Sequence, residues 1–200
     1  MPAEPSTRRG RASRERIVER AAELFAERGV AQTSLDEVLA AAGAGKSQLY
    51  HYFRGRDELV EAAVAHRCTQ VVAGLTQELG RVASLAGLEQ ALAGFVAGFE
   101  QMGLPGCPIG SLAAEVAEHN EGARLQAAAA FDSWERLFAQ ALERMRERGE
   151  LRADASPALL ATALLASIEG GMVLSQARKN PASLRIAVQA GLGQVRACLS

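Results

Sequence analysis

The chain has 200 residues, a formal charge of −1 and 48% hydrophobic residues, enough for a core and too balanced for an acidic or basic tail protein. Alanine and leucine dominate, aromatics make up only 4%, and no strand-like alternation persists, so the composition is that of an all-α protein. Three widely spaced cysteines, Cys68, Cys107 and Cys198, argue against a disulfide framework and suit reduced thiols in a cytoplasmic protein.

The first fourteen residues, MPAEPSTRRGRASR, are basic with no apolar segment behind them, which is not the pattern of a secretory signal. Residues 1–12 read as a disordered basic arm, either simply solvated or carrying Arg8, Arg9 and Arg11 into a minor groove. A helix follows over Arg14–Gly29. Ser34 and Glu37 then have capping-box spacing, and Leu35, Val38, Leu39 and Ala42 share one face of a second helix. Gly43 supplies a left-handed stop and Gly45 leaves the next residues free to turn. A short third helix spans about Lys46 to Phe53, with Leu49 and Phe53 inward and Lys46, Ser47, Gln48, Tyr50, His51 and Tyr52 on the rest of its surface. Two short helices joined by a tight glycine-containing turn form a helix-turn-helix, whose second helix enters the major groove of duplex DNA. Between Gly43 and Arg56 the ionised residues are Lys46, Arg54 and Arg56, with no acid among them, which suits phosphate contact. The Tyr50-His51-Tyr52 cluster adds weight, because three large amphipathic side chains on one short helix are costly unless they bind something.

These segments resemble the TetR/AcrR family of bacterial one-component regulators. The carrying residues are RERIVERAAELFAERG (Arg14–Gly29), TSLDEVLAAAG (Thr33–Gly43), LYHYF (Leu49–Phe53) and RDEL (Arg56–Leu59). The resemblance implies that Thr33 and Ser34 hold a phosphate and that Lys46, Ser47 and Gln48 face the major groove. It also implies that Tyr50, His51 and Tyr52 meet the backbone, with Arg56 in place of the family's usual phosphate-binding lysine. Ala44-Gly45 departs from the family pattern of a small apolar residue followed by Ser, so the cap of the third helix is open at this stage. Gln48 suits adenine and Lys46 suits guanine acceptors.

Residues 13–56 are thus expected to form the DNA-binding domain and 57–200 a ligand-binding and dimerisation domain. The second comprises helices over Asp57 to about Val82, Leu88–Met102, Ile109 to about His119, Gly122–Arg148, Pro157 to about Lys179, and from Pro181 towards the C-terminus. The fold class is therefore all-α, a three-helix helix-turn-helix domain followed by six helices. The longest apolar run, Ala158–Ala166, is about half of the ~20 residues a bilayer span needs, so no membrane partner is expected.

Small residues in the last two helices permit close approach, either as an intramolecular core or, as the resemblance favours, as a homodimer on a palindromic operator. The resemblance further implies a pocket for a small, apolar effector. Its candidate lining is Phe95, Phe99, Leu112, Phe131, Trp134, Phe138, Ile168 and Met172, with His66, Glu115 and Glu169 as polar groups. Aromatics at helical spacing are also ordinary core. The segment Gly106–Glu118 resembles a subgroup in which a cysteine follows the fifth helix and, in some members, answers electrophiles or oxidants, which makes Cys107 an alternative switch. A buried apolar role for Cys107 stands beside it.

No catalytic motif, phosphate-cradling loop or metal-ligand spacing occurs, and His51, His66 and His119 are dispersed; neither enzyme activity nor a cofactor is expected. The leading reading is a ligand-released dimeric repressor. The alternatives are a thiol-switched repressor and a helical protein-interaction module that does not bind DNA.

Overall fold

A computed structural model describes residues 7–200. Among them are nine helices and no strand: α1 (Arg8–Arg28), α2 (Leu35–Ala42), α3 (Lys46–Tyr52), α4 (Arg56–Leu79), α5 (Leu85–Gln101), α6 (Pro108–Val116), α7 (Glu121–Glu147), α8 (Pro157–Arg178) and α9 (Ala182–Arg196).

Local chemistry explains most of the boundaries. Thr7 caps α1 by accepting from Gly10 N–H at 3.0 Å, so Arg8, Arg9 and Arg11 are helical and not part of a disordered arm. Residues 1–6 of that expected arm lie outside the described residues. Ser34 and Glu37 form the capping box of α2: Glu37 N–H donates to Ser34 Oγ, and Ser34 N–H donates to the Glu37 carboxylate at 2.8 Å. Gly43 ends α2 at φ 57°, ψ 40°, a left-handed conformation that costs glycine nothing. Ser156 caps α8, with Pro157 in its first turn.

The described chain forms two compact units, and the division falls within α4 and α7 instead of at residue 56. The first takes in residues to Gln70 together with Pro108–Ala130, and the second takes Val71–Cys107 with Phe131–Ser200. In the first, Ile17, Ala21 and Phe25 of α1 pack among Val38 and Leu39 of α2 and Leu49 and Phe53 beside α3, all buried.

In the second unit α8 lies along α9 at glycine contacts. A β-carbon on Gly171 would stand 2.8 Å from that of Ala187, and one on Gly191 would stand 2.9 Å from Leu164 Cδ2. Ser175, fully buried on α8, accepts from Leu184 N–H of α9 at 2.9 Å and so satisfies a first-turn donor that Pro181 cannot cap. By length and hydropathy α8 would suffice to cross a bilayer. Its Leu160, Leu164, Leu165, Ile168 and Met172 are nevertheless buried within the unit, as in a core helix.

Candidate functional site

The expected DNA-contact residues divide sharply by burial. On α3, Lys46, Ser47, Gln48, Tyr50 and His51 are exposed, Tyr50 by 62%. Tyr52, expected on the same surface, is only 8% exposed. Three residues beyond Leu49 and two beyond Tyr50, it falls on the inner face of a helix turning 100° per residue. Its ring meets His51 edge-on at 5.0 Å and Phe53 at 6.5 Å.

Two further expected phosphate ligands are engaged internally. Thr33 is buried, and its hydroxyl donates to Gly29 O at 2.8 Å. The Arg56 guanidinium donates to Thr33 O at 2.7 Å and also to Val30 O, so it closes the α1–α2 loop from the start of α4. Sequence reasoning misses this because those carbonyls are 23 and 26 residues away.

Ser34 remains at the surface, with its hydroxyl and N–H turned to Glu37. The Ser34 backbone bond, then its hydroxyl, holds the Glu37 carboxyl below its usual range, with Arg28 helping at 3.2 Å. Lys46 reaches Asp36 at 3.0 Å, with both side chains about 70% exposed, a weak pair that phosphate can displace.

The same loop has a second tie that sequence reasoning assigned elsewhere. Glu115 of α6, expected as a polar group of the ligand pocket, accepts from Val30 N–H at 2.7 Å, and its carboxylate lies against Gly29. Gly29 adopts φ 85°, and an added β-carbon would meet Glu115 Oε1 at 2.5 Å. The carboxylate therefore serves the first unit. His66, on α4, contacts Gln70 Nε2 at 2.9 Å in that unit, where Leu112 is also buried.

The second unit holds an apolar cavity of about 260 Å³ between α4, α5 and α7, lined by Leu75, Leu79, Leu92, Phe95, Trp134 and Phe138, with Glu78, Ala91 and Gly94 completing its wall. Phe95, Trp134 and Phe138 were expected there. The rings stand 5.9 Å (Phe95–Trp134) and 6.3 Å (Trp134–Phe138) apart, which is aromatic packing distance. Phe99, Ile168 and Met172 are buried core, and Phe131 is half-buried; none of the four lines this cavity. Leu75 and Leu79 went unpredicted, although their spacing of four on α4 was a readable signal.

Cys107 is 4% exposed, and its thiol donates to the Glu169 carboxylate. Burial raises the Glu169 carboxyl above its usual range, and the Cys107 bond offsets part of that rise. Thiol reactivity needs an accessible thiolate, which this setting does not offer. Among the described residues no group of His, Cys, Asp or Glu is arranged to hold a metal ion.

Taken together, a capped helix-turn-helix with an exposed second helix and an all-helical remainder define a DNA-binding transcriptional regulator. Residues 17–63 match the family described as bacterial regulatory proteins, tetR family. Residues 84–190 match the C-terminal domain of LmrA/YxaF-like transcriptional regulators. The chain belongs to the TetR family. It is 31% identical over 176 residues to the uncharacterized HTH-type transcriptional regulator YxaF of Bacillus subtilis, covering 86% of this chain and 89% of that one. It is 25% identical to the HTH-type transcriptional repressor DhaR of a Mycobacterium species, covering 84% of each chain. A solved TetR transcriptional regulator from Chloroflexus aurantiacus superposes with a TM-score of 0.80 at 26% identity, covering 96% of this chain and 98% of that one.

Proposed function

We propose that the protein is a homodimeric, cytoplasmic repressor that leaves a palindromic operator when a small apolar molecule enters the second unit. Supporting the DNA half of this reading are the exposed Lys46, Ser47, Tyr50 and His51 on α3. The observation that carries the effector half is the cavity walled by Phe95, Trp134 and Phe138, a concave and mostly apolar site in a unit separate from α3. A ligand that favours one conformation of the protein shifts its DNA affinity by the difference in its own affinity for the two. Leu159, Val173 and Ile186 are exposed on α8 and α9 by 73%, 59% and 69%, and burying them against a second copy would supply a two-fold interface.

Trp134 is the chain's one tryptophan, so its fluorescence reports on the cavity directly. Small planar aromatic compounds are expected to quench it and to release bound DNA over the same concentration range. The Ala91→Phe variant, which fills the cavity, should keep DNA binding and lose both responses. Quenching with no change in DNA affinity would sink the effector reading. No salt-dependent binding to any duplex would sink the regulator reading and favour a protein-interaction module.

A further inference from the structure

The groove-facing helix α3 starts without a capping side chain. Its N-cap is Gly45, at φ −95° and ψ 162°. The cap comes from within the helix instead: Gly45 N–H donates to Gln48 Oε1 at 3.0 Å. The other end of the same amide, Nε2, donates to Ser13 Oγ at 3.3 Å, and Ser13 lies on α1 with 8% exposure. One residue thus closes the first turn of α3 and ties it to α1. Three positions along α1, Arg16 Nε donates to Ala42 O at 2.7 Å and holds the last residue of α2. Both sides of the helix-turn-helix turn are therefore fixed from α1.

We propose that Gln48 is a positioning residue which, with Ser13, sets the seat of α3 on α1, and that reading of base edges falls to Lys46 and Ser47. The inference rests on α3 being the helix that enters the groove. Bidentate recognition of adenine requires the amide oxygen and nitrogen of a glutamine to face the base edge together. In this protein they are turned back, the oxygen onto the helix's own first donor and the nitrogen onto α1. Swinging the amide into the groove would leave Gly45 N–H to water and remove the donor that meets the buried Ser13 hydroxyl, so two intramolecular bonds would be given up for the two made to a base edge. Because residue 45 is glycine, the N2 and N3 N–H groups have no side-chain acceptor and the tie from Gln48 stands alone at this terminus; Ser, Thr, Asp or Asn at the N-cap would accept from the N2 or N3 N–H and add a second, independent bond to the same turn, as Ser34 and Glu37 do in α2.

That dependence supplies the test. A β-carbon at Gly45 would meet nothing within 4 Å, and φ −95° suits any residue, so Gly45→Ser can install a direct cap without strain. Selection from a random duplex library would be run on the wild type, Gln48→Ala, Ser13→Ala and the Gly45→Ser/Gln48→Ala double variant, with thermal unfolding measured for each. All four should enrich one motif. Gln48→Ala should bind it and its single-base variants about fivefold more weakly throughout, the equivalent of one net hydrogen bond. Gly45→Ser, which steadies the same first turn through a different donor, should recover part of that loss. Ser13→Ala, which leaves the Gly45 cap in place, should lose about twofold, and it carries the test if Gln48→Ala fails to fold. Relaxed preference at a single base pair in Gln48→Ala, or no recovery by Gly45→Ser in a folded protein, overturns the proposal and makes Gln48 a base reader. A wild type that enriches no sequence overturns the groove reading and the proposal with it.

Discussion

Two tyrosines separated by one residue have opposite surroundings on α3, and the difference can be measured. Tyr52 is buried against His51 and Phe53, so Tyr52→Ala should destabilise the protein by about 3 kcal/mol, as for a buried aromatic, seen as a lower melting temperature. Tyr50 stands in solvent, so Tyr50→Ala should change stability by no more than about 0.5 kcal/mol while weakening DNA binding in a gel shift. Equal melting temperatures for the two variants would contradict this assignment. Glu169 gives a pH prediction. Burial raises its carboxyl pKa in the folded state, so its stabilising contribution is complete below the unfolded carboxyl pKa and is lost as pH rises through the folded one. Glu169→Gln removes that loss. The variant should melt higher than the wild type at pH 7 and show a flatter decline from acidic to neutral pH, with the Cys107 thiol still able to donate to the amide oxygen.

At the scale of elements, the six-residue link between α1 and α2 is held from two other helices, by Arg56 at the start of α4 and by Glu115 on α6. Such a loop makes few contacts of its own, and its order comes from these charged partners. Glu115→Ala should cost about 1 kcal/mol and, more specifically, should speed amide exchange at Val30 while leaving amides in the middle of α1 unchanged. Exchange at Val30 as slow as in the wild type would show that Arg56 alone holds the loop. The α8–α9 pair works by different means. Gly171 and Gly191 let the helices approach to where any side chain would collide, and Ser175 spends its hydroxyl on the neighbouring helix.

On the scale of the whole molecule, the homodimer proposed above would seat on the outward residues of α8 and α9. Val173→Glu or Ile186→Glu places a charge on an exposed apolar position that contributes nothing to the core of the single chain. Each variant should keep its helical content, sediment as a monomer, and bind a palindromic operator far more weakly than the wild type, because a two-fold protein gains from both half-sites at once. A dimer that survives both changes would move the interface elsewhere.

What the sequence by itself determined is what depends on neighbours in the chain. The capping box Ser34–Glu37, the left-handed Gly43, the Ser156-Pro157 start of α8 and the all-helical class all follow from residues a few positions apart. The family resemblance likewise rests on short contiguous motifs, and the matches over residues 17–63 and 84–190 agree with it. Only the tertiary structure decided which polar groups have partners within the chain. Thr33, Arg56, Glu115 and Gln48 all looked available for DNA or ligand, yet each bonds a group from another element or from its own helix terminus. The aromatic cavity was half-legible for the same reason: Phe95, Trp134 and Phe138 are conspicuous by type, whereas Leu75 and Leu79 become part of its wall only once α4 is set beside α5 and α7. Side-chain chemistry names what a residue can do, and partners brought from elsewhere in the chain, 23 residues away for Arg56 and 85 for Glu115, decide what is left for it to do.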